Sequence, residues 1–265
     1  MSSPTTFSFS ARRITLSLSV FAGLLLFAYF GVVYVRVVLN HHKFFGLNRL
    51  FDLDGEANVP AVFSTFLFLF NSALLFLIHR LGRRGPSGHE GATWLFLSLL
   101  FCFLGIDEAV SIHELFIDII HAWARPTGIF HFVWVIPYGI ATLLLAAVML
   151  PWFFRLDGHT RRWFAASAVI FVSGAIGMEM VSGRYLELVN EQRGLVYQLM
   201  VAVEETLEMA GLIVFNHGLL CVLQRFTPVK VSLELVADAQ LPRRPAYSGS
   251  LAATTEDQTP SPANL

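Results

Sequence analysis

Charged residues are scarce in this chain. Only 14% of its 265 residues are Asp, Glu, Lys or Arg, whereas hydrophobic residues make up 55% and the mean hydropathy is +0.62. Soluble domains carry about 25% charged residues, so the composition argues against an ordinary soluble domain and indicates several membrane spans. Cysteine is also scarce. Cys102 and Cys221 lie in separate apolar stretches, where small buried side chains are expected rather than a disulfide or a pair of metal ligands.

Several motifs of known enzyme classes are missing. The sequence has no phosphate-binding glycine loop, no Gly-x-Ser-x-Gly turn and no Cys-x-x-Cys pair. The His-x-x-x-His pair of membrane ceramidase-like hydrolases and the histidine clusters of membrane desaturases do not occur either. Basic residues are scattered at the ends of apolar stretches, so no nucleic-acid partner is expected. Membrane lipids are the expected surroundings.

Six apolar stretches are long enough to cross a bilayer, which takes about 20 residues. They are Ile14–Val38, Val59–Ile78, Thr93–Ile120, Phe132–Phe154, Trp163–Ser182 and Val196–Val222. The sequence therefore predicts an all-α fold, a polytopic membrane bundle of about six transmembrane helices within residues 14–226. Residues 1–13 are predicted to form a cytoplasmic N-terminus. Residues 227–265, rich in Pro, Ser, Thr and Ala, are predicted to form a disordered cytoplasmic tail.

Lys and Arg residues are concentrated on one side of the predicted membrane. That side holds Arg12, Arg13, Arg80, Arg83, Arg84, Arg155, Arg161, Arg162, Arg225, Lys230, Arg243 and Arg244, and the other holds Lys43, Arg49, Arg125, Arg184 and Arg193. Cytoplasmic loops carry the excess of these residues, so both termini are expected in the cytoplasm. Tryptophans near span ends, among them Trp94 and Trp134, are expected to be interfacial anchors.

Acidic residues lie inside or at the edge of the predicted spans. They are Asp107, Glu108, Glu114, Glu179, Glu204, Glu205 and Glu208. A charged side chain at the bilayer centre costs about 2.5–3.5 kcal/mol on insertion scales, so such residues face a cavity, a partner or an ion. At ~1.5 Å rise per residue, the third, fifth and sixth spans place them at compatible depth. On the third span, helical periodicity predicts one stripe of Asp107, Ser111, Glu114, Asp118, His121 and Arg125.

A divalent cation between these spans would offset the repulsion among the acids. Mixed carboxylate and imidazole ligands suit iron, manganese or zinc, and we expect the ligands to be His113, Glu114, Glu179, Glu204 and Glu208. We expect Asp107, Glu108 or Glu205 to act as an acid or base. The Glu-x-x-His pair of dimetal helix bundles is absent, so a mononuclear site is equally allowed.

The first loop between spans contains alternating oxygen-bearing side chains at Asp52, Asp54, Glu56 and Asn58. The EF-hand pattern is not met, because Gly55 comes too early and no bidentate Glu follows at the right distance. The loop is more consistent with an acidic lid on the same side as the buried acids, or with a solvated turn that precedes the second span.

Three segments resemble those of a group of uncharacterised multi-pass bacterial membrane proteins. They are FDLDGEANVP at 51–60 followed by Phe63-Ser64, GIDEAVSIHE at 105–114 and EETLEMAG at 204–211. The resemblance covers roughly residues 14–225 and implies a multi-pass protein of the bacterial inner membrane with these segments as its site. It implies no reaction.

The sequence leaves three functions open. The first is a metal-dependent membrane enzyme that acts on a lipid or lipophilic molecule. The second is a proton- or cation-coupled transporter that uses the same acids. The third is a non-catalytic assembly subunit, in which the acids are protonated or paired and serve structure alone.

Overall fold

The computed structural model describes residues 10–37, 39, 46–82, 88–122 and 126–226, and all regular elements in these ranges are helical. The helices are α1 (Ala11–Val37), α2 (Leu47–Leu50), α3 (Val59–Gly82), α4 (Gly88–Val110), α5 (Leu115–His121), α6 (Val135–Arg155), α7 (Gly158–Val172), α8 (Glu179–Leu188) and α9 (Leu195–Arg225). The tail predicted at 227–265 lies outside the described residues.

Six helical spans are long and apolar enough to cross a membrane. The fifth is composite, because a π-helical segment at Ser173–Met178 joins α7 to α8 without interruption. The predicted all-α polytopic membrane bundle is therefore confirmed. The chain alternates between two ends of this bundle. We call the end that carries residues 46–58, 111–122, 126–134 and 189–194 the loop end.

Helix α9 is the central element and packs against α1, α3 and α7. Its glycines allow close approach: a Cβ atom on Gly211 would lie 2.7–2.8 Å from Phe171 of α7, and one on Gly218 would lie 3.0 Å from Trp163. Between membrane helices, such small residues permit the close backbone contact that replaces the hydrophobic driving force of water.

Buried amides also hold α9 to α3. Asn71 donates a hydrogen bond to the carbonyl of Leu212 at 3.0 Å and accepts one from Asn216 at 3.0 Å. Both asparagines are fully buried. These hydrogen bonds therefore give partners to polar groups that lipid could not satisfy.

At the end opposite the loop end, Asp157 is the N-cap of α7. Its side chain accepts hydrogen bonds from the backbone N–H groups of His159 at 3.0 Å and Thr160 at 3.2 Å. It also accepts one from Arg225, which ties the start of α7 to the end of α9.

The third span is shorter than predicted. Helix α4 ends at Val110, because Ser111 adopts a left-handed conformation with φ 55°. A 3₁₀ turn at Ile112–Glu114 and the short α5 follow. The prediction of one continuous acidic stripe from Asp107 onward is therefore wrong, since the break folds His113 back toward Asp107.

Trp94 does not act as the interfacial anchor that was predicted. Its side chain is 8% exposed and packs edge-on against Trp152, with ring centroids 5.1 Å apart, and against Phe164. This indole therefore belongs to the apolar core at the end of the bundle opposite the loop end.

Candidate functional site

A cavity of about 440 Å³ lies between α3, α4, α6, α9 and the π-helical segment, and it reaches the loop end. Nine acidic residues line it, namely Asp54, Glu56, Asp107, Glu108, Glu114, Glu179, Glu204, Glu205 and Glu208. They are nearly half of the 19 acidic residues in the chain. All eight residues predicted for the site, the seven acids and His113, lie on this wall. The individual roles assigned to them stay predictions.

Asp107 is held by a dense set of hydrogen bonds. Its Oδ1 accepts from the backbone N–H of His113 at 2.7 Å and lies 3.2 Å from the Nδ1 of the same residue. Its Oδ2 accepts from the hydroxyl of Tyr138 at 2.6 Å. The side chain is buried. Because both oxygens are engaged, Asp107 is suited to orient the imidazole of His113.

The electrostatic surroundings of His113 favour its charged form. Burial by itself lowers the pKa of His113, but the hydrogen bond and charge of Asp107 oppose this effect. The acids Glu56 and Glu108 also raise it, so the pKa lies above its ordinary value. In the metal-free protein the imidazole therefore keeps its proton to a higher pH than a free histidine.

Three of the cavity residues lie close enough together to bind one metal ion. Glu56, His113 and Glu114 each offer one ligand atom, and these atoms lie within 4.8 Å of one another. His113 is half-buried, whereas Glu56 and Glu114 are exposed at the loop end. Among the residues that the structure describes, this is the one group of at least three His, Cys, Asp or Glu side chains that lie close enough to hold a metal ion together. Glu179, Glu204 and Glu208, also predicted as ligands, line other parts of the same wall.

The first loop reaches the cavity because it is tied down at several points. The Asn58 side chain donates to the carbonyls of Asp52 at 2.5 Å and Gly55 at 2.6 Å, and its Oδ1 caps α3 by accepting from the N–H of Ala61 at 3.0 Å. These bonds close the tight turn in which Ala57 has a positive φ of 54°. The turn presents Glu56 to the cavity.

Asp54 fastens this loop to the start of α9. Its carboxylate accepts hydrogen bonds from Arg193 and from the hydroxyl of Tyr197, each at 2.6 Å. Burial raises the pKa of Asp54 above its ordinary value, although Tyr197 and Arg193 both oppose the rise. The loop is thus an integral part of the wall, in agreement with its interpretation as an acidic segment on the same side as the buried acids.

The π-helical segment positions Glu179 next to α9. A Cβ atom on Gly174 would lie 2.8 Å from the carbonyl oxygen of Glu204 and 3.0 Å from the Cγ of Glu208, so the two backbones nearly touch. Glu179 accepts a hydrogen bond from the indole of Trp134 at 3.0 Å. π-helical turns of this kind are frequent at functional sites.

The remaining acids, Glu108, Glu204, Glu205 and Glu208, lie on the cavity wall as well. The wall therefore gathers carboxyl groups from α4, α8 and α9.

Sequence reasoning missed three contributors. Glu56 was placed in an acidic lid but was not assigned as a ligand, and the spacing of the loop carries no signal that would pair it with His113. Trp134 was expected to be an interfacial anchor, but its indole binds Glu179. Tyr138 lies in an apolar stretch, and nothing in its neighbours indicates the contact with Asp107.

Comparison with known proteins identifies a family. No curated protein sequence and no solved structure matches the chain. A family model described as a domain of unknown function (DUF8692) matches residues 18–223, which include the composite fifth span and every residue of the cavity wall. The match covers more than half of the chain, and the protein therefore belongs to the DUF8692 family.

Proposed function

We propose that the protein is a metal-dependent membrane enzyme that acts on a lipid or another lipophilic small molecule. The observation that carries this proposal is the group of Glu56, His113 and Glu114, whose ligand atoms lie within 4.8 Å of one another. Two carboxylates and an imidazole suit iron, manganese or zinc. A bound cation of this kind would supply a Lewis acid or an activated water.

The contact between Asp107 and His113 supports this assignment. Because Nδ1 of His113 faces Asp107 at 3.2 Å, Nε2 is the ring nitrogen left for a cation. Histidine ligands typically direct their other nitrogen to a carboxylate, which fixes the ring orientation. Asp107, itself held by Tyr138, is thus better suited to orient the ligand than to act as an acid or base.

The other acids are assigned by position. Glu179, Glu204 and Glu208 would be further ligands or partners of ligands, and Glu108 or Glu205 would transfer protons. The cavity wall also includes side chains from membrane-spanning segments, such as Phe68 and Leu104. A site at this depth is accessible to molecules that partition into the bilayer, which supports a lipophilic substrate.

The proposed location is a bacterial inner membrane with both termini in the cytoplasm and the loop end outside. The excess of Lys and Arg at the other end supports this orientation. Labelling tests it: with Cys102 and Cys221 replaced by serine, an impermeant maleimide added to intact cells should label Glu191→Cys but not Gly158→Cys. Labelling of Gly158→Cys alone would reverse the orientation.

The metal is tested by measuring the metal content of full-length protein purified in mild detergent without chelators. We expect near-stoichiometric iron, manganese or zinc in the wild type and its loss in Glu56→Gln and Glu114→Gln. Glu187→Gln is the matched control, because Glu187 lies at the same end but pairs with Arg184 and the N–H of Gly128 instead of lining the cavity. This control should retain the metal.

Other results would redirect the proposal. Absence of metal after attempted reloading, or equal loss in Glu187→Gln, would overturn it. In that case, pH-driven cation flux in proteoliposomes that fails in Glu204→Gln would establish the transporter. A co-purifying partner that is lost in the cavity variants would instead establish an assembly subunit.

A further inference from the structure

Basic side chains on the cavity wall are far fewer than carboxyl groups. Nine carboxyl groups line the cavity, whereas the basic side chains among its described lining residues are Arg193 and His113. Arg193 is already committed to Asp54 at 2.6 Å. A single divalent cation at the group of Glu56, His113 and Glu114 would still leave more carboxyl groups than positive charges.

This imbalance selects against anionic ligands. Two unit charges 4 Å apart interact with about 4 kcal/mol at an effective dielectric of 20, so a phosphate would be strongly repelled by each ionised carboxylate beside it. A phosphate could bind only through metal ions that compensate the charge of the acids. The described residues form one group of three potential ligands, which provides for one such ion. An ammonium or hydroxyl group, by contrast, can donate hydrogen bonds to ionised carboxylates.

Aromatic rings stand beside these acids. The ring of Trp134 lies 5.6 Å from that of Tyr138 and 5.1 Å from that of His113, measured between centroids. Their polar edges are fixed to carboxylates, Trp134 to Glu179 and Tyr138 to Asp107. Proteins bind alkylammonium groups against aromatic rings, and ionised carboxylates accept their hydrogen bonds.

The wall also has an apolar part. Phe68, Leu104, Phe171, Val172 and Ile176 line it, and the volume of about 440 Å³ lies in the range of small-molecule sites, about 300–1,000 Å³. Helix α6, which supplies Tyr138 and Thr142 to the wall, has few buried side chains. Helix α6 is therefore peripheral, and the wall beside it separates the cavity from lipid.

From this geometry we infer that the site takes a lipophilic amine, with its ammonium group among the carboxylates and aromatic rings and its chain against the apolar wall. The inference rests on the proposed function for the identity of the site and names the substrate class. It separates amine-bearing molecules from phospholipids and fatty acids, whose anionic groups the wall disfavours.

The test is equilibrium binding of radiolabelled dodecylamine to the full-length protein in nanodiscs of neutral lipid, with empty nanodiscs subtracted. Unlabelled dodecylamine, dodecanol and dodecyl phosphate compete in parallel, and the metal content of each sample is measured. We expect the amine to compete at least about tenfold better than the alcohol, because one additional charged interaction of about 1.4 kcal/mol changes the affinity tenfold. The phosphate should not compete. Because this order is measured on the wild type, it does not depend on a variant that folds poorly.

Variants then locate the amine. Glu205→Gln and Glu208→Gln should weaken the amine about tenfold and leave the alcohol unchanged, whereas Glu187→Gln should affect neither. Tighter binding of the phosphate, or equal binding of all three ligands, would overturn the inference even if stoichiometric metal is present. Amine preference in protein that carries no metal would support the inference while the metal-dependent function fails.

Discussion

Replacement of Gly211 by alanine should loosen the contact between α7 and α9. The added Cβ would lie 2.7 Å from the Cβ of Phe171 and 2.8 Å from its Cα and backbone N, whereas ordinary contacts begin at 3.4 Å. The shortfall is therefore about 0.6–0.7 Å, and close packing in protein interiors makes even one added methyl group felt. Backbone atoms cannot rotate away as a flexible side chain would, so the helices must separate.

The expected magnitude follows from comparison with Gly23→Ala. A Cβ atom on Gly23 has nothing within 4 Å, and both glycines lie inside membrane-spanning helices. Both variants share the gain in helix propensity of Ala over Gly, about 1 kcal/mol. Their difference thus isolates the cost of overpacking, about 1–3 kcal/mol. Gly211→Ala should be less stable than Gly23→Ala by that amount.

The assay is reversible unfolding of the full chain in mixed micelles, with increasing sodium dodecyl sulfate and tryptophan fluorescence as the signal. The wild type and both variants are compared at one protein concentration. Equal free energies of unfolding for Gly211→Ala and Gly23→Ala would refute the close approach of α7 and α9, and with it the packing that places the acids of α9 on the cavity wall.

Asp107→Asn should weaken metal binding by about 10–100-fold, the usual effect of losing a residue that orients a ligand; titration of metal into chelator-treated protein measures this, and unchanged affinity would contradict the orienting role. Asp157→Ala should lower the free energy of unfolding by about 1 kcal/mol at neutral pH, because α7 loses its N-cap. The hydrogen bond from Arg225 holds the pKa of Asp157 below its ordinary value, so the stabilisation is present above the unfolded-state value of ~3.9 and is lost as the pH falls through the lower folded pKa. The difference between wild type and variant should therefore shrink in acid, and a constant difference would argue against this linkage. Alanine at Asn71 and Asn216 should show a coupling energy of about 0.6–1.7 kcal/mol in a double-mutant cycle, and strictly additive effects would show that their hydrogen bond contributes nothing.

The spans could be predicted because lipid imposes a simple requirement of about 20 apolar residues on each crossing. Helix α3 begins at Val59 as predicted. Asn58 before it caps the helix, and the first turn of a helix tolerates a proline such as Pro60. The predicted end of the third span, Ile120, lies ten residues beyond Val110, where α4 ends, which is nearly three turns of ~3.6 residues. Ser111 has no sequence signal for a left-handed conformation, and the hydrogen bond from the N–H of His113 to Asp107 that accompanies it exists only after folding.

The sequence by itself determined that this is a polytopic membrane bundle and that its acids must face something other than lipid. Both conclusions rest on the cost of exposing charge to hydrocarbon, which depends on composition and span length alone. Only the tertiary structure decided which groups meet. Glu56 joins His113 and Glu114 because the loop is fastened through Asp54, and Trp134 reaches Glu179 across two helices. Such contacts depend on how separate spans pack and rotate against each other, and helical periodicity within one span contains no information about its neighbours.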